Sequence, residues 1–136
     1  MMGFDVHGPT RHVTASNVDG SEPRYDLLAM PAEYGLNCPR LDQLNRRFYA
    51  TTIVRFDDGS VHALRDELTR LRDAYRSRRE PELITERRVR ARNPAVRRAI
   101  IDRVCLEDVV YRALEEFRLL CDEAIATKTD VRCEGD

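Results

Sequence analysis

Histidine and cysteine are scarce in this sequence, and their spacing argues against a metal centre. The 136 residues include three histidines and four cysteines. His7 and His12 lie five positions apart, His62 is isolated, and no two cysteines have the short spacing of a zinc site. We therefore predict no metal site and no cofactor.

The cysteines also lack the close pairing that is typical of small disulfide-stabilised domains. We expect free thiols in a reducing compartment. Cys105 and Cys121 fall within apolar patterns and are predicted to be core residues, whereas Cys133, in a polar tail, is predicted to be an exposed thiol.

Long apolar runs and the recurrent catalytic motifs are missing as well. No stretch approaches the ~18 apolar residues of a membrane-spanning helix, and no signal-peptide pattern opens the sequence, so we expect a cytoplasmic protein without membrane association. There is no glycine-rich phosphate loop, no nucleophile elbow and no paired histidines with a glutamate. An enzyme is therefore less expected than a binding protein. It would require a pocket in which several side chains of one set meet: Asp5, His7, His12, Cys38 and His62.

The length and composition indicate one domain over residues 1–136. With 42% apolar and 35% charged residues, the chain can bury one core under a charged surface. We predict a mainly α fold, a helical hairpin or small bundle, with an α+β fold as the alternative. Glycine and proline are concentrated in residues 1–38, which predicts an irregular segment docked on the core, with room for a short β element.

The pattern is ambiguous in the first part of residues 39–80. Helical spacing begins at Pro39, but residues 49–56 are rich in aromatic and β-branched side chains, so strand and helix both stay open there. Residues 57–60 predict a turn that caps the next helix. That helix is expected to end near Ser77, because Pro81 should prevent its continuation. Its apolar stripe is predicted to be a core face: Val61, Leu64, Leu68, Leu71 and Tyr75.

A second helical region covers residues 93–128 and begins at Asn93-Pro94, which is a good cap and first helical residue. A continuous helix here would be ~50 Å long. Either it breaks near Cys105 and Leu106, giving two helices, or it projects and forms a homodimer. We expect it to pack against the preceding helix, with residues 129–136 as a tail.

A basic connection is predicted over residues 81–92, within a strongly basic middle of the chain. Six arginines and no acid occur in the twelve residues 87–98. Guanidinium groups bind phosphate in pairs of hydrogen bonds and release counterions, so a nucleic-acid contact is one hypothesis. The alternative is a solvated linker whose arginines pair with the acidic last helix. The candidate residues are Arg87, Arg88, Arg90, Arg92, Arg97 and Arg98.

The acidic end of the chain gives the leading hypothesis. A charged helical surface can bind a protein partner, as an inhibitor, immunity or anti-defence factor does without catalysis. Such a face is also typical of simple solvation. The candidate partner-binding residues are Glu107, Asp108, Glu115, Glu116, Asp122 and Glu123.

Overall fold

The structure is a computed structural model that describes residues 3–17, 24–46 and 53–135. Within them lie five strands: β1 (Gly3–His7), β2 (His12–Asn17), β3 (Tyr25–Asp26), β4 (Ile53–Phe56) and β5 (Val131–Gly135). The helices are α1 (Met30–Glu33), α2 (Pro39–Arg46), α3 (Asp58–Glu86), α4 (Pro94–Glu107) and α5 (Val109–Thr127). The strands form one antiparallel sheet in the order β3-β2-β1-β5-β4. The chain is therefore an α+β fold, and the expectation of a mainly α protein is confirmed only for its large helical part.

The N-terminal region is more regular than predicted, since β1 and β2 form a hairpin inside residues 1–38. Phe4 and Val6 are buried while Asp5 and His7 point to the other face. This alternation is the period-two pattern of a half-buried strand. Gly8 and Pro9, which are part of the pattern that suggested an irregular segment, lie in the turn between the two strands, where the Gly8 amide donates to the Arg11 carbonyl at 2.8 Å. Residues 18–23 lie outside the described part.

The predicted tail is also a strand, and the prediction of an exposed Cys133 is wrong. β5 lies between β1 and β4, and its Val131 and Cys133 are fully buried. Only two apolar residues alternate here with Arg132 and Glu134, which is too short a pattern to recognise in a sequence. Cys105 and Cys121 are buried as predicted.

Residues 39–56, whose pattern is ambiguous in the sequence, contain both a helix and a strand. α2 begins at Pro39 as predicted, and Ile53–Phe56 is a strand, while residues 47–52 lie outside the described part. The turn and cap at residues 57–60 are confirmed, because the Asp57 side chain accepts a hydrogen bond from the Ser60 amide.

α3 does not end near Ser77 but continues through Pro81 to Glu86. A proline inside a helix costs about 3 kcal/mol. Two features offset this cost. Leu83 is buried against α4, and Arg79 forms ion pairs with Glu82 and Glu86 at 2.8 and 3.0 Å. The predicted basic connection over residues 81–92 is therefore shorter and begins after α3.

The second helical region is divided into two helices, which is the first of the two predicted alternatives. Asn93 caps α4 by accepting from the amides of Ala95 and Val96, and Pro94 is the first helical residue. α4 ends at Glu107, and Asp108 then caps α5 by accepting from the Tyr111 amide at 3.1 Å.

Two apolar clusters result from this arrangement. The main one lies between the inner face of the sheet and α2, α3 and α5, and it buries the predicted α3 stripe from Val61 to Leu71. α3 and α5 run antiparallel along each other, as the pairing of Arg72 with Glu115 and of Arg65 with Asp122 shows. A smaller cluster joins the far end of α3 to α4 and the start of α5: Leu83, Ile101, Val104, Cys105 and Tyr111.

Candidate functional site

The arginine-rich segment lies at the far end of α3, away from the sheet. It comprises the six arginines predicted above, from Arg87 at the end of α3 to Arg98 in α4. Five of them are exposed, and Arg97 is half-buried. Arg97 shapes the connection, because its Nη1 donates to the carbonyl oxygens of Val89 at 3.3 Å and Ala91 at 3.4 Å.

Only part of this segment pairs with acids. Arg87 Nη1 lies 2.7 Å from Glu107 Oε2, and Arg98 Nε lies 3.8 Å from Asp102 Oδ1. In the part of the chain that the structure describes, no carboxylate lies within 4.0 Å of a guanidinium nitrogen of the remaining exposed arginines. These are Arg88, Arg90 and Arg92.

Arg88 has a backbone conformation that arginine rarely adopts. Its φ of 51° places it in the left-handed region. The Arg88 amide donates to the Thr85 carbonyl at 3.2 Å, and the Val89 amide donates to the Ile84 carbonyl at 3.1 Å. This is the Schellman pattern of a helix C-terminus, in which glycine is the favoured residue. An arginine here costs conformational free energy relative to glycine.

The predicted acidic residues are mostly engaged within the molecule. Glu107 pairs with Arg87, and Asp108 accepts from the Tyr75 hydroxyl at 2.6 Å and from Arg79 Nε at 3.2 Å. Burial, and then the hydrogen bond to Asp108, raise the pKa of Tyr75.

The predicted acids within α5 bond to α3, to Arg118 of α5 itself and to the β1–β2 turn. Glu115 lies 2.6 Å from Arg72, and Asp122 lies 2.7 Å from Arg118. Glu123 accepts from the Thr10 amide at 2.9 Å. The sixth predicted residue, Glu116, is exposed.

These contacts perturb the carboxylates of α5. The hydrogen bond from Arg118 is the main cause that lowers the pKa of Glu115, burial opposes it, and Arg72 adds to the lowering. The Thr10 hydroxyl likewise holds the pKa of Glu123 below its usual range. The acidic surface is therefore part of the internal ion-pair network of the protein.

The outer face of the sheet carries a second polar region, and its residues come together through strand register. His7 on β1 lies opposite His12 on β2 and opposite Arg132 on β5, which in turn lies opposite Arg55 on β4. Four basic side chains thus form one row across four neighbouring strands. The rings of His7 and His12 stack with centroids 4.7 Å apart.

An acidic row runs beside the basic one. Asp5 Oδ1 accepts from the Thr14 hydroxyl at 3.0 Å and lies 3.4 Å from His12 Nε2, and Glu134 lies 3.7 Å from His7 Nε2. A cleft of about 360 Å³ opens at the Arg55 end of the basic row. Its lining includes His7, Gly8, Pro9, Arg55, Thr129, Asp130 and Arg132.

Three of the five side chains considered for an enzyme meet on this face, namely Asp5, His7 and His12. His62 lies in α3, 3.8 Å from Asp58, and Cys38 is buried before α2. Within residues 3–17, 24–46 and 53–135, no three His, Cys, Asp or Glu side chains are grouped so that they could hold a metal ion. The sequence does not predict the basic row, because it gives no sign of β5 and does not show how the possible strands in residues 1–38 and 49–56 pair with one another.

The thiols in the described residues are buried and not activated. Burial raises the pKa of Cys121 to about 12, and it raises the pKa of Cys133 further, with Cys121 adding to that rise. Since the thiolate is the reactive form, these residues are unsuited to nucleophilic chemistry.

Comparison with known proteins gives no matching family model, no matching curated protein and no matching solved structure. Among the helices of the described residues, none has the length and apolar character needed to cross a bilayer. The functional argument therefore rests on the chain's own residues.

Proposed function

We propose that the protein binds nucleic acid through the phosphate backbone, using the segment from Arg87 to Arg98. The observation that carries this proposal is the exposure of Arg88, Arg90 and Arg92 without an acidic partner in the described part of the chain, while Glu107 already pairs with Arg87. Unpaired, exposed guanidinium groups are free to bind phosphate with paired hydrogen bonds.

The backbone of the segment supports the same role. The side chain of Arg97 holds the connection in place by donating to the carbonyl groups of Val89 and Ala91. The segment thus presents its arginines from an ordered loop. It contains no aromatic residue on which bases could stack, so duplex is favoured over single strands.

The direct test is fluorescence anisotropy with labelled duplex and single-stranded oligonucleotides over a salt series. We expect micromolar binding at low salt that weakens steeply as salt rises, because each phosphate contact releases a counterion. The variant R88A/R90A/R92A should lose at least about tenfold in affinity, and its salt slope should fall by about two to three.

The control variant is R46A/R70A/R112A, which removes the same charge from exposed positions on α2, α3 and α5. It should bind nearly as well as the wild type. If the two triple variants lost the same affinity, the binding would depend on net charge and not on the position of the arginines. If the wild type did not bind at low salt, the proposal would be ruled out.

A protein partner is the second candidate, and two exposed apolar side chains on α4 favour it. Val96 and Leu106 on α4 are 52% and 47% exposed. Arginine is enriched at protein interfaces, and the buried centre of an interface is more apolar than the rest of the surface. Affinity purification with and without nuclease separates the two candidates. A stoichiometric protein that stays bound after nuclease treatment would favour this second function over the first.

A further inference from the structure

The cleft on the outer face of the sheet contains an unfavourable pair of like charges. Arg55 and Arg132 lie directly opposite each other on the antiparallel strands β4 and β5. Side chains at such positions are about 5 Å apart at Cβ, and like charges there destabilise a sheet. A bound anion between the two guanidinium groups would reverse the sign of this interaction.

Neither arginine is fully neutralised by the protein. Arg132 uses its Nε to contact Glu134 at 3.1 Å, an arrangement that leaves its outer nitrogens for another acceptor. Arg55 is exposed, and no carboxylate of the described residues lies within 4.0 Å of its guanidinium nitrogens. His7, opposite Arg132 on its other side, also lines the cleft.

The remaining lining indicates which anion fits. Thr129 and Asp130 face the cleft beside the arginines, and they can bond hydroxyl groups of a ligand. The carboxylates of Asp130 and Glu134 keep the total positive charge of the region small, which disfavours a long polyanion and favours one compact group held by paired hydrogen bonds. The cleft is open to solvent, and its volume of about 360 Å³ has room for one phosphate group and the part of the ligand attached to it.

We propose that this cleft binds a small phosphate monoester, with the phosphate between Arg55 and Arg132 and the hydroxyl-bearing part near Thr129 and Asp130. The site shares no residue with the segment from Arg87 to Arg98. The two proposals therefore succeed or fail independently.

The test is a titration followed by the Nε–Hε signals of the arginines in ¹H–¹⁵N NMR spectra. The probes are inorganic phosphate, a nucleoside 5′-monophosphate and a short single-stranded oligonucleotide without terminal phosphate. We expect saturable shifts of Arg55 and Arg132 with the first two probes, tighter binding of the monophosphate than of phosphate, and little change with the third. R55Q should lower the affinity for the monophosphate at least about tenfold, whereas R70Q, at an exposed position on α3, should not.

Circular dichroism of R55Q verifies that this variant is folded. R132Q removes the second arginine of the site, and it should also lower the affinity for the monophosphate. The proposal is overturned if the cleft signals do not saturate by about 10 mM monophosphate. It is also overturned if R55Q and R132Q bind the monophosphate as tightly as the wild type does. A third contrary result would be that the cleft signals shift with the oligonucleotide but not with phosphate or the monophosphate.

Discussion

At the scale of single residues, the buried carboxylate of Glu67 shows how one side chain connects two helices. Glu67 lies in α3 and is 2% exposed. Its oxygens accept from the backbone amide of Arg40 at 3.0 Å and from that of Leu41 at 3.1 Å, which are two of the free amides at the start of α2. A carboxylate at a helix N-terminus also interacts favourably with the helix dipole. Glu67 therefore acts as the cap of a helix that is distant in sequence.

Replacement of this carboxylate should be costly. In Glu67→Ala the two amides lose their acceptor, so we expect the free energy of unfolding to fall by about 2–4 kcal/mol. Urea denaturation measures this loss. Asp66→Ala, at the exposed neighbouring position, is the control and should change stability by less than about 0.5 kcal/mol. A loss in Glu67→Ala no larger than the control would contradict the capping role.

At the scale of elements, two helices end with a residue in the left-handed conformation that is not glycine. Arg88 follows α3 with a φ of 51°, and Lys128 follows α5 with a φ of 54°. The ends are alike, since the amides of Lys128 and Thr129 donate to the carbonyls of Ile125 and Ala124. Lys128 is thus a matched reference for Arg88.

Glycine at either position should stabilise the fold. Removal of the left-handed strain outweighs the larger entropy of the unfolded chain, and we expect a net gain of about 0.5 kcal/mol for Arg88→Gly and for Lys128→Gly. Thermal unfolding gives the stability of both variants. Only Arg88→Gly should also weaken nucleic-acid binding. If Arg88→Gly were less stable than the wild type, the left-handed conformation of Arg88 would not be a source of strain.

How far the sequence predicts these elements depends on the length of each pattern. The long stripe from Val61 to Leu71 and the Asn93-Pro94 start are local signals, and both predictions are confirmed. The strands β1, β2, β4 and β5 each carry only two buried apolar residues, which is a weak pattern in a sequence, and their register is set by pairing across the sheet. α3 ends later than the sequence predicts, because the burial of Leu83 on α4 outweighs the local effect of Pro81. Such tertiary packing is not visible in a window of sequence.

The candidate sites follow the same rule. The arginine-rich segment is contiguous and could be found from the sequence alone, although its division into paired and unpaired side chains could not. The row from His12 to Arg55 is assembled from four strands that are far apart in the chain. Its chemistry therefore depends on register, which a single sequence does not reveal.

At the scale of the whole molecule, ion pairs between α3 and α5 link stability to pH. Glu115, between Arg72 and Arg118, has a lowered pKa in the folded protein. A lowered pKa means that the folded state binds a proton less readily than the unfolded state does. The contribution of Glu115 to the stability of the fold is therefore fully present above the usual glutamate pKa, near pH 4.3, and it is lost as the pH falls through the lower pKa of the folded state. Glu123, bonded to Thr10, acts in the same direction.

Acid should therefore weaken the packing of α3 on α5. We expect the free energy of unfolding to fall as the pH is lowered from about 5 to 3, and Glu115→Gln should make this fall shallower. Urea unfolding at a series of pH values measures the slope. Glu116→Gln, at the exposed neighbouring position, should leave the slope as in the wild type. Identical slopes for Glu115→Gln and the wild type would contradict the role given to Glu115.

The position of β5 has a consequence for biosynthesis. The strand that comes latest in the described chain is inserted between β1, made more than a hundred residues earlier, and β4. During translation the two older strands expose their unsatisfied backbone groups until residues 131–135 leave the ribosome, so the sheet cannot be completed progressively. Such late closure over a long sequence separation slows folding, and it leaves the nascent chain open to edge-to-edge association in the meantime.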